Sequence, residues 1–264
     1  MNEDGVQGVV VHKMDITQKS LPEDWIAKVN NSKEYSIYIE PTPKWSKDVS
    51  SEVYNALEFW KEIAGVQFEI VNAPSFKIIS IGWEKELRNG YDGYVIGQKS
   101  VSIGLGSNDC DGNWKPYSSE SIKNILIHEI GHTVGLDHAV SKSNIMYPMI
   151  HDAKFAAIEQ SFTILQDDSI FIRGCSFSAD PSYKYQVEVK DSKKVDIFFV
   201  PSVEEKYRVD SGESFNYYSD INCIGLDKSY KIGVCKEIAD SAGMLIINSN
   251  NQGTISLKVY LEEQ

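Results

Sequence analysis

The sequence predicts an α+β protein: a twisted mixed sheet with long helices in the first two thirds, followed by a small all-β, sandwich-like part. Three observations point there. Strand-period and helix-period segments interleave up to about residue 176, helical periodicity stops at about residue 177, and short alternating runs separated by Gly, Asn, Asp and Ser fill the rest. The expected division is therefore 1–176, with an N-terminal extension over 1–32, and 177–264.

Taken in order, Tyr35, Ile37 and Ile39 alternate with Ser36, Tyr38 and Glu40, the period of a strand with two different faces. After Pro41 and Pro43, Ser50 or Ser51 can cap a helix whose Val53, Leu57, Trp60 and Ala64 form one stripe before Gly65 ends it. Val66, Phe68 and Ile70 read as a second strand and residues 76–83 as a third. Val101, Ile103 and Leu105, with Ser102 and Gly104 between them, make a further short strand that suits a sheet edge. Ser118 or Ser119 offers an N-cap to a helix with apolar positions Ile122, Leu126, Ile130 and Val134. Beyond a linker at Ala179–Ser182, strands are expected at 183–189, 194–200, 229–234, 243–248 and 254–260.

The run from His128 to His138 spells HExxHxxGxxH. On a helix, His128 and His132 lie one turn apart on one face. Gly135 can take positive φ and turn the chain back, so that His138 supplies a third nitrogen. Three neutral imidazoles suit zinc and leave one tetrahedral position open, the arrangement of a catalytic site, with Glu129 placed as general base. With five histidines and eighteen glycines in 264 residues, this spacing arises by chance with a probability of about 10⁻⁴ over the chain. A zinc held only for stability, or an inactive site, is the other reading of the same residues.

These residues resemble the metzincin clan of zinc endopeptidases, whose motif is followed by a methionine turn. Ser143-Asn144-Ile145-Met146-Tyr147-Pro148 is similar to that turn, which implies Met146 packed beneath the metal. The run through Met149 and Ile150 resembles the matrixins most, implying that Tyr147, Pro148, Met149 and Ile150 border a pocket for an apolar residue after the cleaved bond. Leu165 to Arg173 resembles the opening of the matrixin C-terminal helix, and the likeness spans about residues 33–175. It further implies that Val101, Ser102, Ile103, Gly104 and Leu105 align an extended substrate at a sheet edge, against the plainer reading of a solvated edge.

Departures from the family pattern also matter. Ala139 stands where a hydroxyl residue is usual, and His12 and His151 are too few for a second, structural zinc, so one zinc is expected. Pro148 occupies the place of a metal-reaching tyrosine in other branches, leaving Tyr147 as a packing residue. No cysteine precedes Cys110, so the thiol that holds matrixin zymogens latent has no counterpart here.

A net charge of −12 opposes binding to nucleic acid or anionic membranes, and no apolar run is long enough to span a bilayer. Met1 to Lys13 lacks the features of an export signal, as a chain beginning after signal cleavage would. Four cysteines form an even set, with Cys223–Cys235 and Cys110–Cys175 as the pairings expected of an oxidising, extracellular or cell-surface setting. Asp109 and Asp111 offer oxygens to calcium, but Trp114 falls where a calcium loop needs glycine, so an Asx-rich turn competes. The combined reading is a zinc metalloendopeptidase acting on peptide or protein. Its rivals are a non-catalytic zinc-binding surface protein on the same scaffold and a zinc hydrolase of other amides or esters.

Overall fold

A computed structural model describes residues 21–29, 33–87, 91–148, 153–178, 180–249 and 253–264. Met149, Ile150, His12, His151 and all of the expected N-terminal extension except 21–29 lie outside those residues. A short helix, α1 (Glu23–Ile26), leads into β1 (Glu34–Ile39), α2 (Ser50–Ala64), β2 (Gln67–Val71), β3 (Ile79–Glu84), β4 (Gly93–Ile96) and β5 (Ser100–Gly104). The strands form one sheet in the order β2-β1-β3-β5-β4, parallel except for the antiparallel β4–β5 pair. Gly65 ends α2 at φ 67°, where a residue lacking Cβ avoids strain, and its N–H donates to the Lys61 carbonyl.

Next come a small hairpin, β6 (Gly106–Asn108) and β7 (Trp114–Pro116), and the helix α3 (Ser119–Thr133). Ser118 is the N-cap of α3, its hydroxyl accepting from the Ser121 N–H at 3.1 Å. Helices α2 and α3 pack together on the sheet, and Ile37, Trp60, Ile81, Ile103, Leu126 and Met146 share one buried cluster. Trp60 crosses between the helices to donate its Nε1–H to the Ile127 carbonyl at 3.0 Å. A buried indole N–H needs such a partner, so this bond also fixes the tryptophan's orientation.

Residues 158–264 build two four-stranded antiparallel sheets. One has the order β13 (Tyr230–Cys235), β10 (Tyr183–Val189), β15 (Ile255–Glu263), β8 (Ile158–Ile164); the other has β12 (Ile224–Lys228), β11 (Val195–Val200), β14 (Gly243–Ile247), β9 (Ser169–Arg173). Alternate residues from both sheets, among them Tyr185, Val187, Ile197, Phe199, Met244 and Leu257, meet in a second cluster. A helix, α4 (Glu204–Asp210), with Val209 and the following Phe215, covers the outer face of β11 and β14 at Phe198 and Leu245. The pairings Cys110–Cys175 and Cys223–Cys235 are both present.

Three expectations are corrected. The helix expected at Leu165–Arg173 is instead a turn and a strand. Asp167 and Asn248 exchange backbone bonds with their neighbours across the turn, Asp167 takes φ 59°, and Ile170, Phe171 and Ile172 pair with β14. Partner strands outweigh any local helical tendency there. Because β8 and β9 pair with later strands, the sheets do not divide at residue 177, and 158–173 join the all-β part. Finally, Val101 to Leu105 is not an edge. Strand β5 lies between β3 and β4, its Val101, Ile103 and Leu105 are buried, and the outermost strand on that side is β4.

Candidate metal centre

His128 and His132 project from the last turns of α3, and Gly135 at φ 99° lets the chain leave the helix, with the Leu136 N–H donating to the Gly131 carbonyl. This return brings His138 to the other two rings. Its Nε2 lies 3.2 Å from that of His132, which lies 3.2 Å from that of His128. His128 Nδ1 is 2.8 Å from the Ile145 carbonyl and His132 Nδ1 is 2.7 Å from the Leu136 carbonyl. A carbonyl only accepts, so each Nδ1 carries the proton and each Nε2 presents a lone pair to the centre.

Converging lone pairs at this distance repel unless a cation lies among them. Tetrahedral zinc, with Zn–N near 2.05 Å, spaces its ligand nitrogens about 3.3 Å apart, so the donor set fits zinc. Burial, then the neighbouring His132, lowers the pKa of His138 against the opposing pull of Asp137, and this favours the neutral ligand form.

Met146 is fully buried against Gly131 of α3. The Asn144 side chain accepts from its N–H at 2.9 Å, and its carbonyl accepts from Ala139 at 2.8 Å, so the methionine turn is tied to the chain just after His138. Gly131 makes this approach feasible, since a Cβ there would lie 2.4 Å from Met146 Sδ. Tyr147 and Pro148 border the same cleft as the histidines, whereas Met149 and Ile150 lie outside the described residues.

Glu129 is buried beside the histidine face, roofed by β4 so closely that a Cβ on Gly93 would come within 2.6 Å of its carboxylate. Burial first, and then the negative charge of Asp92, push its pKa up to about 8. The Tyr117 hydroxyl donates to Asp92 at 2.7 Å, anchoring that second acid. Neither Asp92 nor Gly93 was legible in the sequence as part of the site. They precede Glu129 by 37 and 36 residues in the chain, and nothing local to them signals the contact.

The oxygens offered to calcium are committed elsewhere. Asp109 accepts from the Asp111 and Asn113 N–H groups and pairs with Lys115 at 2.9 Å, while Asp111 pairs with Arg173 at 2.7 Å. This is the Asx turn, and it gives calcium no support.

A family model described as matrixin, peptidase M10, matches residues 25–174. The chain is similar to the metalloendoproteinase 2-MMP of Arabidopsis thaliana, 24% identical over 140 residues, covering 47% of this chain and 37% of that protein. It is similar also to human matrix metalloproteinase-26, 28% identical over 125 residues, covering 43% and 47% respectively. Matrix metalloproteinase-C of Caenorhabditis elegans is 26% identical over 145 residues, covering 48% of this chain and 25% of that protein. The chain thus spans less than half the length of each of these relatives.

Proposed function

This chain belongs to the matrixin family, and on that premise we propose that it is a zinc-dependent endopeptidase that hydrolyses peptide bonds in polypeptide substrates. The observation that carries the reading is the convergence of three imidazole Nε2 atoms beside a buried carboxyl group.

His128, His132 and His138 would hold the zinc. When bound, it supplies Lewis acidity to a carbonyl oxygen and to water, whose pKa it brings to about 7. Ionised in the field of the bound cation, which opposes the upward push of burial, Glu129 would take the proton from the attacking water and deliver it to the departing amine. The carboxylate's enclosure under Gly93 limits its hydration and holds it in one place, which spares reorganisation during proton transfer. Met146 supports the ring of histidines from below. The outermost strand β4, in place of β5, offers backbone groups to an extended substrate, and Tyr147 and Pro148 border the opposite side. Two disulfides support an extracellular setting. Among the described residues no helix is long and apolar enough to cross a membrane.

The test is Glu129→Gln. It keeps the zinc and lowers cleavage of an unfolded protein substrate by at least about 100-fold, the scale of lost general acid–base catalysis. Undiminished cleavage in that variant, or wild-type cleavage that survives a chelator, refutes the reading. Bound zinc without any cleavage would instead favour a binding protein on this scaffold.

A further inference from the structure

The cleft that contains the histidines does not end on the half of the chain that supplies them. Its volume is about 2730 Å³, several times the roughly 300–1,000 Å³ of a small-molecule site. Beyond the histidines it runs past Ala156 and Ala157 to Pro181, Val234, Lys236 and Glu262. Those last four share one origin. They stand at or beside the start of β10 and the ends of β13 and β15, where Tyr183 pairs with both Cys235 and Glu263, so one end of a single four-stranded sheet faces the cleft.

This rim is preformed. The Ile238 N–H donates to the Pro181 carbonyl at 3.0 Å, the Gln264 N–H to the Ser182 carbonyl at 2.8 Å, and the Glu237 N–H to the Ser182 hydroxyl at 3.2 Å. It is also fastened to the half that carries the histidines. Cys110–Cys175 links the hairpin before α3 to the end of β9, Arg173 pairs with Asp111, and the Phe155 and Phe177 rings meet at a tilt with centroids 5.0 Å apart. A loosely tethered part would need none of these three ties. Lys236 is exposed while Val234 and Glu262 are half-buried, so the wall offers an apolar contact flanked by two opposite charges.

Resting on the endopeptidase reading, we infer that this strand-end wall binds a distal stretch of the extended polypeptide substrate, several residues from the cleaved bond. Contacts made far from the reacting atoms can be spent on reaching the transition state, so such a wall makes the chain favour long substrates over short ones.

The experiment compares the full chain, zinc-loaded, on two peptides that share the same central cleavage sequence, one about 6 residues long and one about 18, long enough when extended to leave the histidines on either side. The expected ratio of kcat/KM, long over short, is at least about 10. Lys236→Glu and Glu262→Lys, each checked for native circular dichroism, lower that ratio at least about threefold. A ratio near 1 overturns the inference while leaving the protease reading in place, because the short peptide is still cut. A high ratio that neither variant changes also overturns it, since length is then sensed elsewhere. Cleavage of neither peptide removes both the inference and the reading beneath it.

Discussion

Gly131→Ala tests the packing that supports the histidines. Alanine in a helix interior is favoured over glycine by about 1 kcal/mol, so an exposed site would be stabilised. Here the new methyl group would sit 2.4 Å from Met146 Sδ and 2.9 Å from a ring carbon of Trp60. Both side chains are fully buried, and Trp60 is held by its bond to the Ile127 carbonyl, so neither has solvent to move into. Overpacking of this kind costs about 1–3 kcal/mol. Strain outweighs propensity, and we expect a net loss of about 1 kcal/mol, a midpoint about 2–4 °C lower at this chain length. The assay is thermal unfolding followed by circular dichroism, with Gly131→Ala, Met146→Ala and the double variant forming a cycle. Removing the methionine side chain should recover much of the strain. An unchanged or raised midpoint in Gly131→Ala refutes the reasoning, because it would mean that Met146 does not press on α3.

Gly93→Ala should lower kcat/KM by about 100-fold with little change in zinc content, since the added methyl displaces the Glu129 carboxylate, from which it would lie 2.6 Å; activity assays and elemental analysis of one preparation check this. Replacing both cysteines of the Cys110–Cys175 pair, 65 residues apart, should cost more stability than replacing Cys223–Cys235, 12 residues apart. Loop closure puts the two at about 4 and about 3 kcal/mol, a ranking that denaturant unfolding can read. Burial raises the folded-state pKa of Glu263 against the opposing pulls of the Ser176 hydroxyl and Lys154. The folded chain therefore holds that proton more tightly than the unfolded one, and this group's contribution to stability falls as pH rises from about 4.5 through the raised value. Glu263→Gln should flatten that part of a urea-midpoint profile, and an identical profile would contradict the sign.

What was legible in the sequence was local. His128, His132, Gly135 and His138 fall within one helix and the turn that follows it, so spacing alone carried the geometry that Nε2 distances of 3.2 Å now express. Five strands of the all-β part announced themselves by alternation because one face of each is buried between two sheets. What stayed hidden depended on distant partners. Strand β4 has only four residues and begins at Gly93 after Asp92, so it reads as a turn until β5 pairs with it. Residues 165–173 contain an aspartate pair that resembles a helix start, and β14 is what makes them a turn and strand. The meeting of Gly93 with Glu129, and of Lys236 with the same cleft, has no local sequence signature at all.

The central claim is that three histidines hold one zinc ion. Elemental analysis of the full chain, equilibrated with zinc and then dialysed, should find about one zinc per chain, falling to near zero in His132→Ala. A wild-type chain that retains no zinc, or a His132→Ala chain that retains as much, would contradict it.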